Sequence, residues 1–260
     1  MITLNYVVKN TSKFKKTNTA TLYREKSDVY KVIDNRCFLY NEIINHIKYN
    51  YEISGAVSSN IILPKDLIVE DEKIRGYKCD YVHGKSLENL AKDLDTNEKI
   101  ILINKLTDLL KEINQFLVVG DVNLGNCMYD KYGSCYLLDF DLSSKLGESP
   151  SMVSLYNLRN DERKDIYSNL STDKVKMGIV AASILYGIDF EDCFTSRKPY
   201  SYWNKFLQYT ENSYLKDYFK TSLHSINKNK VVDDYLYLPD TSSFASLIDN
   251  DKKRIRKLVK

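Results

Sequence analysis

The sequence predicts an α+β chain in two unequal parts, a β-rich first portion and a larger, mainly helical second one. Three observations predict it. Segments rich in β-branched and aromatic residues, broken by turn formers, crowd into residues 1–83. Beyond them, apolar residues recur at helical spacing over long stretches. Between those stretches lies a short hairpin pattern loaded with oxygen-bearing side chains, residues 126–140. A chain of 260 residues, 43% of them hydrophobic, buries a real core. The expected division is 1–83 and 84–260.

Thr19–Tyr23 and Asp28–Ile33 read as strands, separated by the turn-like Arg24–Ser27. Arg36–Tyr49 carries apolar residues at Phe38, Leu39, Ile43, Ile44 and Ile47, a helical period, with Asp34 and Asn35 as caps. Ile61–Leu63, Asp66–Val69 and Gly76–Val82 read as further strands, with Glu70–Lys73 as a hairpin loop. The connection to the second part falls near Val82–Lys85. Asn97–Leu117 has a clean apolar stripe, and Asp95-Thr96 followed by Glu98 forms a capping-box signature. Lys174–Tyr186 is apolar nearly all round, which predicts a buried helix with Asp173 as its N-cap. Tyr200–Tyr209 and Ser213–Leu223 read as further helical pieces.

The hairpin carries the chemistry. Asn126–Asp130 and Ser134–Phe140 read as strands around the turn Lys131-Tyr132-Gly133. Folded near Tyr132–Gly133, it sets Asn126 opposite Asp139, and Asp121 stands on the loop entering it. Two oxygen ligands and a second carboxylate, that of Asp121, then meet at one open end. Hard oxygen donors of this kind suit a magnesium ion that keeps water and phosphate as its other ligands.

The pattern D-x-x-x-x-N at Asp121–Asn126, followed by Leu-Leu-Asp-Phe ending at Phe140, resembles the catalytic loop and metal-binding motif of the protein-kinase-like superfamily. The resemblance implies a bilobal fold: a small, mainly antiparallel β lobe with one helix at 1–83 that binds nucleotide, and a helical catalytic lobe at 84–260. It implies ATP and magnesium as cofactors. Asp121 would be the base that takes the acceptor proton, and Asn126 and Asp139 the metal ligands. Lys31 would align the phosphates. Alternation puts it on the same face as Val29 and Ile33, so it needs a carboxylate partner, with Glu42 the candidate and Glu52 the alternative. Leu22 and Met128 would cover the adenine from either side, with backbone groups of Asp80 and Val82 bonding it and Cys79 at the back. Asp173 would also hold the catalytic-loop backbone.

The resemblance spans roughly residues 15–225, with departures. The glycine-rich phosphate loop is replaced by Lys15–Tyr23. His-Arg before the base is Val119-Gly120, the following lysine is Asn123, and the D-F-G glycine is Asp141. Ala-Pro-Glu is missing, with Asp161-Glu162 a loose stand-in. Gly-Asp and D-F-D also occur in phosphotransferases acting on aminoglycosides or choline. The long span from Asp139 to Asp173 is more like a protein kinase. The expected activity is therefore transfer of the ATP γ-phosphate to Ser or Thr of a protein. A small-molecule acceptor and a catalytically silent scaffold are the alternatives.

Composition narrows the rest. The net charge of +3 comes from scattered charges, so no nucleic-acid footprint is expected; the basic run 252–260 reads as a helix face or frayed end. The five cysteines include no C-x-x-C pair, and the three histidines no ligand spacing, which points to reduced thiols in a cytoplasmic protein without zinc. Cys79–Ser86 only approximates a P-loop. No membrane-length apolar run or signal-peptide pattern is present.

Overall fold

Alternation along the central strands sorts side chains onto two faces of a six-stranded sheet. The computed structural model describes residues 1–148, 169–190, 206–227 and 234–255. Its sheet comprises β1 (Ile2–Thr3), β2 (Ser12–Lys16), β3 (Ala20–Glu25), β4 (Asp28–Ile33), β5 (Asp66–Glu70) and β6 (Lys73–Asp80), in the order β1-β5-β6-β4-β3-β2. All neighbours are antiparallel except β1 and β5. On β4, Val29, Lys31 and Ile33 face inward; Val29 and Ile33 share a core with Ala20, Ile43, Ile47, Tyr77 and Cys79. Tyr30 faces outward and packs with Val7 and Ile68 under helix α1 (Leu4–Asn10). The sequence reading found neither α1 nor β1 and β2: α1 and β1 are too short to show a period, and the wholly exposed β2 has no apolar alternation.

One turn and one close approach fix the register. β5 and β6 join through Asp71-Glu72, both with positive φ (48° and 62°), the backbone of a two-residue hairpin loop. At Gly76 the sheet leaves no room: a Cβ there would lie 2.0 Å from the Lys31 carbonyl oxygen. Ile61–Leu63 is not a ladder strand. It makes one bridge, Ile61 to Leu137, and lines the junction of the two parts.

Helix α2 (Tyr40–Ile53) covers the inner face of the sheet through Ile43 and Ile47. It starts later than Arg36, and its N-cap, Leu39, makes no side-chain cap. Asp34 is engaged instead by the backbone and guanidinium of Arg36 (3.0 and 2.9 Å), which stabilises a separate turn.

The second part is built on α3 (Thr96–Ile113), α4 (Leu170–Tyr186), α5 (Ser213–Asn227) and α6 (Ser242–Ile255). The Asp95/Glu98 capping box opens α3 as expected. Helix α4 is buried along almost its whole length, as its lack of a polar face requires. Its N-cap is Asn169, in a capping box with Thr172, so Asp173 sits inside the first turn and not at the cap. Residues 234–241 run along α3 as a strap: Asn104 holds Leu238 at both backbone N and O (2.8 Å each), and Thr107 donates to Leu236 O. Asp249 on α6 accepts from Thr96. Residues 252–255 end α6, with Ile255 buried. The remainder of the basic run, Asp161-Glu162 and residues 200–205 lie outside the described residues. No helix among the described residues is long and apolar enough to cross a membrane.

Candidate active site

Two short strands follow the sheet, β7 (Lys85–Ser86) and β8 (Leu117–Val118), and the loop that carries Asp121 follows β8 and hangs from the buried helix α4. Asp173, fully buried, accepts from Val119 N (2.7 Å), Gly120 N (2.8 Å) and Asn114 Nδ2 (3.0 Å). Lys176 Nζ donates to Gly120 O at 2.7 Å. Burial pushes the Asp173 carboxyl up to about 6, against the pull of the Gly120, Asn114 and Val119 donors. The loop then turns. Asn123 Oδ1 accepts from Asn126 N (3.0 Å), closing the short turn Leu124–Asn126. Asn126 Nδ2 donates back to Asp121 O (3.0 Å) and Oδ2 (3.1 Å). Asp121 and Asn126 are thereby locked together, with the Asn126 amide oxygen as the atom that can meet a cation.

The hairpin itself, β9 (Cys127–Tyr129) and β10 (Cys135–Leu137), pairs Tyr129 with Cys135 and Cys127 with Leu137. The loop is five residues, 130–134, with Asp130 accepting from Tyr132 N (2.8 Å) and Ser134 N (2.9 Å) and Gly133 at φ 76°. Its centre is Tyr132, half a residue from the expected fold point. Asn126 therefore faces Leu138, whose N–H it accepts at 2.9 Å, and Asp139 is the next residue along. The expected direct opposition of Asn126 and Asp139 is corrected by one position: Asp139 stands one residue past Leu138, the partner of Asn126. Alternation splits the hairpin between two cores: Met128, Tyr136 and Leu138 belong with the sheet, Cys127, Tyr129 and Leu137 with the helices.

Asp139 has φ 61° and reaches across the cleft. Lys31 Nζ lies 2.6 Å from its Oδ1 and 2.8 Å from Asp141 Oδ2. Lys31 is buried, as its inward position on β4 demands. Its partner is neither Glu42 nor Glu52, which corrects the expectation. Glu42 sits on another face of α2, lining a cavity of about 330 Å³ with His46, Tyr49, Lys145 and Glu148, and Glu52 is exposed at the end of α2. Burial alone would pull the Lys31 ammonium down, but Asp141 and then Asp139 outweigh it and hold it above its ordinary value. Burial likewise pushes Asp141 up against the pull of Lys31, and the nearby Asp139 adds to the rise. Two carboxylates thus share one ammonium, an excess of negative charge that suits a divalent cation at the more exposed of them, Asp139. Few protein donors face it, so the ion would need nucleotide oxygens and water to complete its shell.

Two residues of this network went unnoticed in the sequence as site residues. Tyr77 OH donates to Asp141 Oδ1 at 3.0 Å. Asn50 on α2 donates to Phe140 O (2.9 Å) and pairs with Ser143 Oγ (3.2 Å). An Asn in the apolar row Ile43, Ile47, Asn50, Ile53 was the available signal.

Leu22, Val29, Cys79, Val82, Met128 and Leu138 belong to one apolar cluster. Tyr81 N donates to Ser27 O (2.7 Å), tying the connecting segment to the sheet, with Asp80 and Val82 on either side of it. The Asp80 side chain pairs with Lys65 at 2.6 Å, which leaves only its backbone for a ligand. His83 packs edge-on against Tyr81, a surface role. A broader groove of about 1390 Å³ lies behind this segment, lined by residues such as Tyr81, Lys85, Lys105 and Tyr132, and contains none of Lys31, Asp121, Asn126 and Asp139.

No protein-family model matches the chain, and no curated protein sequence does. Solved structures match well. The structure of the Cydia pomonella granulovirus kinase, PK-1, is similar over 89% of this chain and 94% of that chain, at 18% identity and a TM-score of 0.56. The chain therefore has the bilobal, protein-kinase-like α+β fold.

Proposed function

We propose that this protein is an ATP- and magnesium-dependent phosphotransferase that moves the γ-phosphate to a hydroxyl, with Ser or Thr of a protein as acceptor. One observation carries the reading: in a kinase-like fold, Lys31 is bonded to Asp139 and Asp121 to Asn126, and the hairpin register sets Asn126 one position from Asp139. Asp121 holds Asn126 through Oδ2, which leaves Oδ1 to accept the acceptor hydroxyl's proton. Asn126 and Asp139 would hold magnesium, which offsets charge on the phosphates when bound. Lys31 orients those phosphates. Leu22, Val82 and Met128 would enclose the adenine and the backbone of Asp80 and Val82 bond it. The Asp173 carboxylate fixes the loop so that Asp121 does not need to reorganise. The division at residues 83 and 84, and action in the cytoplasm, belong to the same reading.

The test is transfer from labelled ATP with magnesium to proteins of a lysate and to a metabolite extract, with Asp139→Asn alongside. Label on protein with wild type, and none with the variant, is the expected result. Label on a metabolite alone would move the acceptor to a small molecule. No label on either, and no nucleotide binding, would leave a scaffold.

A further inference from the structure

We propose that Asp141 is the positioning residue for Lys31: with Tyr77 behind it, it supplies the counter-charge that holds the lysine in the cleft, and no glutamate of α2 takes part. The inference rests on the phosphotransferase reading and deepens it.

The argument begins with charge. A buried ammonium needs a resident partner, because desolvation leaves an unpaired one untenable. Lys31 has two carboxylates in contact, but they differ in kind. The Asp139 side chain is 43% exposed and is the group that would turn to a metal ion; the Asp141 side chain is 8% exposed, as is that of Lys31. Once a cation engages Asp139, Asp141 is the carboxylate left to neutralise Lys31, one charge for one.

The geometry holds Asp141 to that task. Its Oδ2 faces Lys31, and its Oδ1 accepts from Tyr77 OH at 3.0 Å. Tyr77 lies on β6 opposite Lys31 in the β4–β6 register, so the same strand pair fixes the lysine and the hydroxyl that aims its partner. The Asp141 carbonyl meets His46 Nδ1 (3.2 Å), and the Phe140 carbonyl accepts from Asn50. Helix α2 thus grips this segment by its backbone and does not reach Lys31.

The experiment measures Mg–ATP affinity by titration and turnover, with a melting curve for each protein. Asp141→Asn should weaken nucleotide binding about tenfold, the scale of coupling between contacting charges. Tyr77→Phe, which removes one hydroxyl and keeps the buried ring, should weaken it about threefold and covers the case in which Asp141→Asn does not fold. On a Lys31→Met background, Asp141→Asn and Tyr77→Phe should have no further effect on affinity, because both act through the lysine. A merely structural role would lower the melting temperature and leave the affinity of the folded protein unchanged; that outcome overturns the proposal. So does a Glu42→Ala loss as large as that of Asp141→Asn, or additive losses on the Lys31→Met background. A wild type that binds no Mg–ATP would instead sink the phosphotransferase reading on which this one rests.

Discussion

Asp121→Asn turns the amide oxygen toward Asn126 and presents an NH2 group where the acceptor hydroxyl needs a base. Turnover should fall by about 10²–10⁴-fold with nucleotide affinity unchanged, since general-base positioning is worth about that much; rates and affinities measured side by side check it. Asp173 makes a second test. Replacing it by Asn puts a donor against one of the Val119 and Gly120 N–H groups, at a cost of about 1–3 kcal/mol, and should slow turnover by loosening the loop. Its pH signature has a definite sign. The folded carboxyl titrates near 6 instead of 3.8, so its contribution is full below pH 3.8 and declines as pH rises toward 6. The unfolding free energy of wild type minus Asp173→Asn should be larger at pH 4 than at pH 7. At this scale the sequence offered Asp121, Asn126 and Asp139 by type and spacing, and Lys31 and Asp173 through the family resemblance. It gave Lys31 the wrong partner, because sequence distance along one helix says nothing of a contact 108 residues away. Asp141 read as a lost glycine, when the carboxylate itself is the feature.

Elements set these positions, and Gly76 shows how. Gly76→Ala puts a methyl against the Lys31 carbonyl and must push β4 from β6. We expect a loss of about 1–3 kcal/mol or more in denaturant unfolding, and a fall in nucleotide affinity beyond that of a surface control, because Lys31 moves with its strand. Strand and helix types were legible wherever a period ran for several residues: β3, β4, β6, α3 and α4. The five-residue hairpin loop was not. Asp130 capping Tyr132 and Ser134 shifts the centre to Tyr132, a side-chain effect that turn composition does not encode. The N-terminal elements escaped for a different reason: α1 has seven residues and β1 two, and they form because the outer face of the sheet offers Tyr30 and Ile68 to cover.

The whole molecule should respond to its ligands as a unit. Asn126 and Asp139 offer too few oxygens to hold magnesium tightly without nucleotide, so ATP with magnesium should raise the melting temperature more than either alone. At a hundred times the dissociation constant the stabilisation is about 2.7 kcal/mol, or several degrees for a chain of this size. No shift at millimolar concentrations would count against the nucleotide site. With Gly120 where an arginine would read a phosphate, the proposed phosphotransferase should also be active without phosphorylation between Leu142 and Thr172; mass spectrometry of an active preparation checks it, and a preparation silent until phosphorylated would overturn it.

The strap along α3 has a consequence in time. Synthesis runs from the N-terminus, so the sheet, α2 and both strands of the hairpin leave the ribosome before Leu236 and Leu238 exist. At about 5–20 residues per second the face of α3 that Asn104 and Thr107 mark stays uncovered for on the order of ten seconds. During that interval the nascent chain carries a nearly complete cleft on an unfinished core. A chaperone that binds apolar helices has its best opportunity then, and a stop codon before Tyr235 should yield a protein that is captured and degraded, although every residue assigned to the chemistry has been made.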